Sequence, residues 1–307
     1  MTASAGIRVD AFAPAHVTGV FAPASAGRDP RGRGSIGAGI VLEIGVHAHA
    51  EFRPGGRRAV RVMAEGGIPL PISEEVARRL CPPGRGQLTV RLEHDLPIGQ
   101  GFGMSAAGAL ATALAVGEIA GRSPAARVEV AHLADLFGGG GLGGVAAIAS
   151  GGGLEFRTRP GIPPRGRVLH RPLLGSLFLG LAGGPLPSPG LLRSARFLQR
   201  VRAAAGELPE LFRHPDANHL FEASERFTDR VALGPPELGR ALRAIRRRGS
   251  WAAQSMFGRS FFVRARTEAD RPALLRHLER AGLRVVEVGA ATRGARVLRH
   301  RRRSSIS

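Results

Sequence analysis

The sequence predicts an α+β fold in two parts, and three observations predict it. The chain has 307 residues, enough for two domains at roughly 100–200 residues each. Its N-terminal part reads as strands before the pattern turns helical, and its C-terminal end reads strand, helix, strand. A stretch rich in Pro, Gly and Arg at Pro160–Arg167 marks the change of domain. The expected division is therefore 1–165, 166–298 and a basic tail at 299–307, the tail taken as a disordered end.

The elements follow in order. Ile7–Phe12 is a short strand, after which Ala13-Pro14-Ala15 opens a loop. Ala22–Gly34, rich in Gly, Pro, Ser and Arg, is a second loop. Ile40–Ala50, Val60–Met63 and Leu88–Leu92 are strands; Leu88, Val90 and Leu92 alternate onto one face. Pro97–Gly103 is a glycine-rich turn. Ser105–Ile119 is a helix of small apolar residues on most faces, hence one buried among neighbours, and Gly121 closes it. Ser123 caps a second helix with Pro124 at its first position, running to Phe137. Gly138–Gly144, six glycines and one leucine, ends it. Ala146–Ala149 and Leu154–Thr158 read as strands. The second part holds a strand at Leu177–Leu181 and helices at Leu191–Ala204, Leu220–Val231 and Glu237–Arg247. A strand at Phe261–Arg266, a helix at Arg271–Ala281 and a strand at Leu283–Val288 complete an α+β sandwich.

Composition narrows the function. Apolar residues make up 43%, which suits a globular chain. No apolar run approaches the roughly 20 residues of a membrane span, and Met1–Val9 lacks the long apolar stretch of a secretory signal. A soluble, cytoplasmic protein is expected. The net charge is +20, yet all 44 basic residues are Arg and Tyr is absent. That is the pattern of a GC-rich genome, and we assign the charge to it before polyanion binding. The single Cys81, in a Pro-Pro-Gly turn, supplies neither a disulfide nor a metal cluster. His47, His49 and Glu51 share one face of a strand at a spacing metals can use, but with no fourth ligand they read as an exposed face. The Arg299–Arg303 run has no aromatic neighbours for stacking on bases and reads as solvated.

The chemistry concentrates in Pro97-Ile98-Gly99-Gln100-Gly101-Phe102-Gly103-Met104-Ser105-Ala106-Ala107, between a strand and a helix. Glycines let backbone close around a ligand, and free N–H groups at a helix start with the helix dipole suit a phosphate. Ser105, at the helix entry, can hold a metal-bound phosphate. The plainer alternative is a tight turn that packs the helix on the sheet.

This segment resembles the phosphate loop of the GHMP kinases: Pro, a glycine-rich turn, then Gly-Leu-Gly-Ser-Ser-Ala-Ala. Ala13-Pro14-Ala15-His16-Val17-Thr18-Gly19-Val20-Phe21 is similar to the family's first motif. Ala252-Ala253-Gln254-Ser255-Met256-Phe257-Gly258-Arg259-Ser260 stands where the third belongs, with one glycine kept. Finer matches resemble the archaeal pantoate kinases: Thr18–Phe21, Gly34–Gly39, Gly101–Ser105, Ala131–Asp135, Gly141–Val145, Arg157, Pro160-Gly161 and Gly184–Leu186. The likeness is strong over Phe12–Gly161 and thin beyond Gly190.

The resemblance implies a GHMP-kinase-like two-part fold. An N-terminal ATP-binding domain would have a mixed sheet with helices, a C-terminal domain a ferredoxin-like sandwich, and ATP would lie between them. It implies ATP-dependent phosphorylation of pantoate to 4-phosphopantoate, on the archaeal route to coenzyme A. Pro97, Gly99, Gly101, Gly103, Ser105 and Ser188 would hold the ATP phosphates. Ser105 and Asp135 would be catalytic and support Mg²⁺; the family usually has Glu at the latter position. Ser35, His132 and Arg157 would bind pantoate, His132 and Arg157 through the carboxylate of pantoate. His132 and Asp135, three apart, share a helix face. The plainer alternatives are a solvated acid for Asp135, a packed or capping histidine for His132 and a surface arginine for Arg157. His16 contacts nucleotide or closes a turn, and the turn is the reading adopted.

One departure stands out. The family motif ends Gly-Leu-Gly-Asp-Val with the expected catalytic carboxylate, and Gly144 takes that place here; no carboxylate occurs from Phe137 to Gly153. Phosphoryl transfer rests mostly on positioning and electrostatics, and homoserine kinases are thought to act without such a base. The outcomes are a slower kinase, a different acceptor or an inactive homologue. The rivals are another GHMP kinase acting on a small hydroxy acid or alcohol, and an RNA-binding protein. The expected partners are a small-molecule substrate and at most a second copy of the chain, with no membrane and no nucleic acid.

Overall fold

A computed structural model describes residues 6–184, 190–191 and 194–302. The N-terminal part is built on a long hairpin, β1 (Ile7–Ser25) against β2 (Arg33–Pro54). The two expected loops in this region are strand instead. Pro14 is accommodated because the register shifts between Pro14 and His16, and a bulge is where a strand tolerates a proline. Ala22–Ser25 pair with Arg33–Ile36, so only 26–32 turn, through a short 3₁₀ turn at Pro30–Gly32.

The far half of β2 pairs with β4 (Gly86–His94), and β4 pairs in parallel with β3 (Ala59–Ala64). The near half of β2, Gly37–Val41, pairs with β5 (Gly153–Arg159), which carries β6 (Arg167–Arg171) on its other edge. The sheet therefore continues past Pro160–Arg167. Its opposite edge is β11 (Arg296–Arg302), antiparallel to β1.

That strand corrects the disordered tail expected from residue 299 as far as Arg302; residues 303–307 lie outside the described residues. Arg299 and Arg301 stand opposite Asp10 and Arg8, Arg296 lies over the Phe12 ring, and His300 reaches Glu118. Edge strands carry charged residues readily because their outer side faces water. A run of arginines carries no alternation that would mark a strand.

Four helices cover this sheet: α1 (Pro71–Leu80), α2 (Met104–Ile119), α3 (Pro124–Gly138) and α4 (Gly144–Ala149). α1 has no counterpart in the sequence reading. α2 is apolar around its whole circumference, and Met104, Ala106–Gly117 are all buried, as its composition predicts. Ser123 caps α3, its side chain accepting from Ala126 N, and Gly139 (φ 76°) ends it. The strand expected at Ala146–Ala149 is α4 instead. A short run of small apolar residues fits either element, and here it packs between α2 and α3.

The C-terminal part is a four-stranded antiparallel sheet: β7 (Ser176–Leu181), β8 (Ser250–Ser255), β9 (Ser260–Ala265) and β10 (Val285–Gly289), in the order β10-β7-β9-β8. This is the ferredoxin-like order. Its helices are α5 (Ala195–Ala204), α6 (Leu208–Arg213), α7 (Ala217–Val231), α8 (Pro236–Arg246) and α9 (Arg271–Arg280). Leu238, Leu242 and Ile245 of α8 and Leu274 and Leu278 of α9 bury one face of the sheet, against Phe178, Phe261 and Val263. The other face, with Trp251 and Phe262, joins α7 and the main core. One core therefore runs through both parts. No helix among the described residues is long and apolar enough to cross a membrane.

Candidate active site

A cavity of about 330 Å³ lies where the glycine loop, the α3–α4 glycines, β1 and the segment after β8 converge. Gly103 (φ 69°) precedes α2 and gives it no side-chain cap, so the first N–H groups of the helix are left to a ligand. The left-handed conformation there favours glycine, and a side chain would press on His16 at 3.2 Å. The degenerate third motif clamps the loop: Ser255 Oγ donates to Gly101 O at 2.6 Å and Ser260 Oγ to Gln100 O. Gly258 packs so closely on Gln100 that no side chain fits. Met256 and Phe257 close that side of the cavity.

At the start of α2, Ser105 Oγ donates to Asp135 Oδ1 at 2.9 Å. Asp135 is buried, and burial pushes its carboxyl up to about 6, with the Ser105 hydrogen bond acting the other way. Gly140 leaves the room this pair occupies; a methyl there would overlap both oxygens. Across the cavity, Arg157 donates through Nη1 to Glu155, and Glu155 Oε1 lies 2.8 Å from His16 Nε2. All three are at most 3% exposed, so this is a buried network rather than a surface arginine. Burial holds the His16 pKa below its ordinary value, against the pull of Glu155. Arg157 Nε has no partner, and the space a side chain at Gly143 would fill lies 2.8 Å from it and 2.5 Å from Ser35 Oγ.

The structure thus brings Gly99, Gly101, Gly103, Ser105, Asp135, Ser35 and Arg157 to one cavity. Pro97 is exposed at the start of the loop and does not line it. His132 is buried in α3 beside the backbone of Pro30 and Arg33 and also does not line it. Ser188 lies outside the described residues, as do Pro185 and Leu186. His16 does line the cavity, which corrects its reading as a turn residue. The sequence reading also passed over Glu155. Its signal was present: an acid and an arginine two apart on one strand face. Gly144 opens α4 and is not among the glycines of positive φ; a methyl there would meet Ala106 Cβ at 2.7 Å.

The other candidates fall away. His49 pairs with Asp10 at 2.8 Å, Glu51 with Arg8, and His47 packs on Phe12. Among the described residues no group of three or more His, Cys, Asp or Glu is arranged to hold a metal. Cys81 is buried, which pushes its thiol pKa up.

The chain is similar to known proteins over most of its length. The family model for the GHMP kinases N terminal domain matches residues 71–152. A pantoate kinase from Thermococcus kodakarensis is 30% identical over 278 residues, 86% of this chain and 90% of that protein. A pantoate kinase from Methanospirillum hungatei is 28% identical over 265 residues, 83% of this chain and 87% of its own length. Among solved structures, a phosphotransferase related to the CoA biosynthesis pathway aligns with a TM-score of 0.83 at 27% identity, covering 96% of this chain and 99% of that one.

Proposed function

Since the chain belongs to the pantoate kinase family of the GHMP kinases, we propose that it transfers the γ-phosphoryl group of ATP to the hydroxyl of pantoate, giving 4-phosphopantoate. The observation that carries this reading is a single cavity with a phosphate-suited helix start at one end and a buried arginine at the other. The N–H groups at the start of α2 and the Gly99–Gly103 loop take the ATP phosphates.

Ser105 and Asp135 fit Mg²⁺. They offer hard oxygen donors, and the Asp135 carboxylate is buried with a hydroxyl as its side-chain partner and no cation beside it. Mg²⁺ is commonly held by one or two carboxylates together with substrate phosphates. Bound there, it would neutralise charge on the phosphate oxygens. The free Nε of Arg157 and the Ser35 hydroxyl face the space left by Gly143, and we assign them the pantoate carboxylate. His132 is assigned to the hairpin turn that leads to Ser35, since it touches backbone at Pro30 and Arg33.

A coupled ADP-release assay over a panel of hydroxy acids and alcohols, pantoate first, tests the acceptor. Hydrogen bonds to charged groups contribute about 1.5–3 kcal/mol, so Arg157→Ala should raise the KM for pantoate about 10–100-fold and that for ATP far less. An equal effect on both substrates refutes the role of Arg157.

A further inference from the structure

We propose that Thr18 and His16 form the proton exit of this kinase: the acceptor hydroxyl gives its proton to Thr18 Oγ1 as the Thr18 proton passes to His16 Nδ1. The proposal rests on the acceptor being an alcohol, as argued above. Its ground is geometric. Of the carboxylates among the described residues, only Asp135 lines the cavity, and it is taken up with Ser105. The other proton acceptor on the wall is His16, and Thr18 lines the cavity beside it.

The orientation of the His16 ring decides which nitrogen can act. Nε2 faces Glu155 Oε1 at 2.8 Å, and that oxygen also accepts from Arg157. A carboxylate oxygen ion-paired to an arginine is an acceptor, so Nε2 carries the hydrogen of the neutral ring. Nδ1 is then left with a lone pair, and Thr18 Oγ1 is 3.4 Å from it. This distance is long for a hydrogen bond, as expected where catalytic contacts tighten only with substrate in place. The ring is held at Nε2, which fills the space beside Gly39 on β2, and the His16 Cβ and backbone pack against Gly103 of the glycine loop. A carboxylate that fixes the tautomer of a histidine and stabilises its imidazolium is the arrangement of hydrolytic triads.

Burial favours the neutral resting ring, against the pull of Glu155; Arg157, which also faces it from β5, acts in the same direction as burial, and His170 on β6 is a further neighbour, its own pKa lowered by burial. The step balances. The acceptor O–H bond breaks, and its oxygen forms the new bond to the γ-phosphorus. The bond to the β–γ bridging oxygen breaks, with the electron pair leaving on ADP. Thr18 exchanges one proton for another, and His16 ends as an imidazolium beside Glu155. Thr18 is the catalytic residue in this scheme, and His16 and Glu155 act through it.

Thr18→Val is nearly isosteric and removes the hydroxyl, while Thr18→Ser keeps it. With saturating ATP and pantoate, Thr18→Val should lower kcat by about 10²-fold or more, the range of proton-transfer catalysis. Thr18→Ser should stay within about tenfold of wild type, and the KM for ATP should hold in both. If the valine variant keeps its kcat, or both variants lose it equally, the relay is wrong. A second measurement does not depend on the acceptor. ¹⁵N NMR of histidine-labelled protein should show His16 with Nε2 protonated and Nδ1 bare, and an Nδ1–H tautomer overturns the relay. A wild type that spares pantoate but shows the bare Nδ1 refutes the acceptor and leaves the relay standing.

Discussion

Ser105 Oγ donates to Asp135 Oδ1 across 2.9 Å, tying the first turn of α2 to the last turn of α3 directly beneath Gly140. Residues 30 positions apart, at the start of one helix and the end of the next, are joined where phosphate and metal would sit. Asp135 is buried and Ser105 half-buried, and the carboxylate waits for a positive charge.

That unmet charge gives a pH-dependent stability. Burial raises the Asp135 pKa to about 6, so folding favours the neutral acid. The sign follows: the stabilisation is complete below about pH 4 and is lost as pH rises through 6. Raising the carboxyl from its ordinary value to about 6 corresponds to about 3 kcal/mol. Ligand-free Asp135→Asn should therefore be more stable than wild type at pH 7.5 and similar near pH 4, yet inactive. Denaturant titrations at the two pH values check this. Identical pH dependence in the two proteins would show that Asp135 does not carry the effect. Mg²⁺ with ATP should stabilise the wild type and not the variant.

Gly140 is required for the room it leaves. Its φ is not positive, so alanine carries no backbone strain, but the methyl would overlap both Ser105 Oγ and Asp135 Oδ1. Gly140→Ala should force the pair apart and cost about 1–3 kcal/mol of stability. Metal-dependent ATP affinity, measured by calorimetry, should fall with it. Unchanged affinity in a folded variant would mean that the pair does not support the nucleotide.

Restoring a carboxylate at Gly144 should not by itself speed the enzyme. The position is not a positive-φ glycine, but Ala106 Cβ stands 2.7 Å from where its side chain would begin. Gly144→Asp should therefore lose about 1–3 kcal/mol through overpacking. The double variant with Ala106→Gly should regain it. Thermal denaturation of both separates crowding from chemistry. Equal stability of wild type and Gly144→Asp would remove the steric argument.

How far the sequence determined this protein follows from the range over which its signals act. The glycine loop and α2 were legible at Pro97–Ile119, because a glycine turn and a proline-free run of small apolar residues act within a few turns of chain. The same holds for α3, whose Ser123-Pro124 start is a local cap. The Ser105–Asp135 pairing followed from the family pattern, not from any spacing. Only the tertiary structure decided that Ala146–Ala149 form a helix, that the arginines at the end form an edge strand on β1, and that His132 turns toward the hairpin. It alone brings His16 to Glu155, 139 residues further along the chain, and so to the Arg157 that pairs with Glu155. That contact depends on the bulge after Pro14 and on the register of β5 against β2, which are set by cross-strand packing and not by any segment alone.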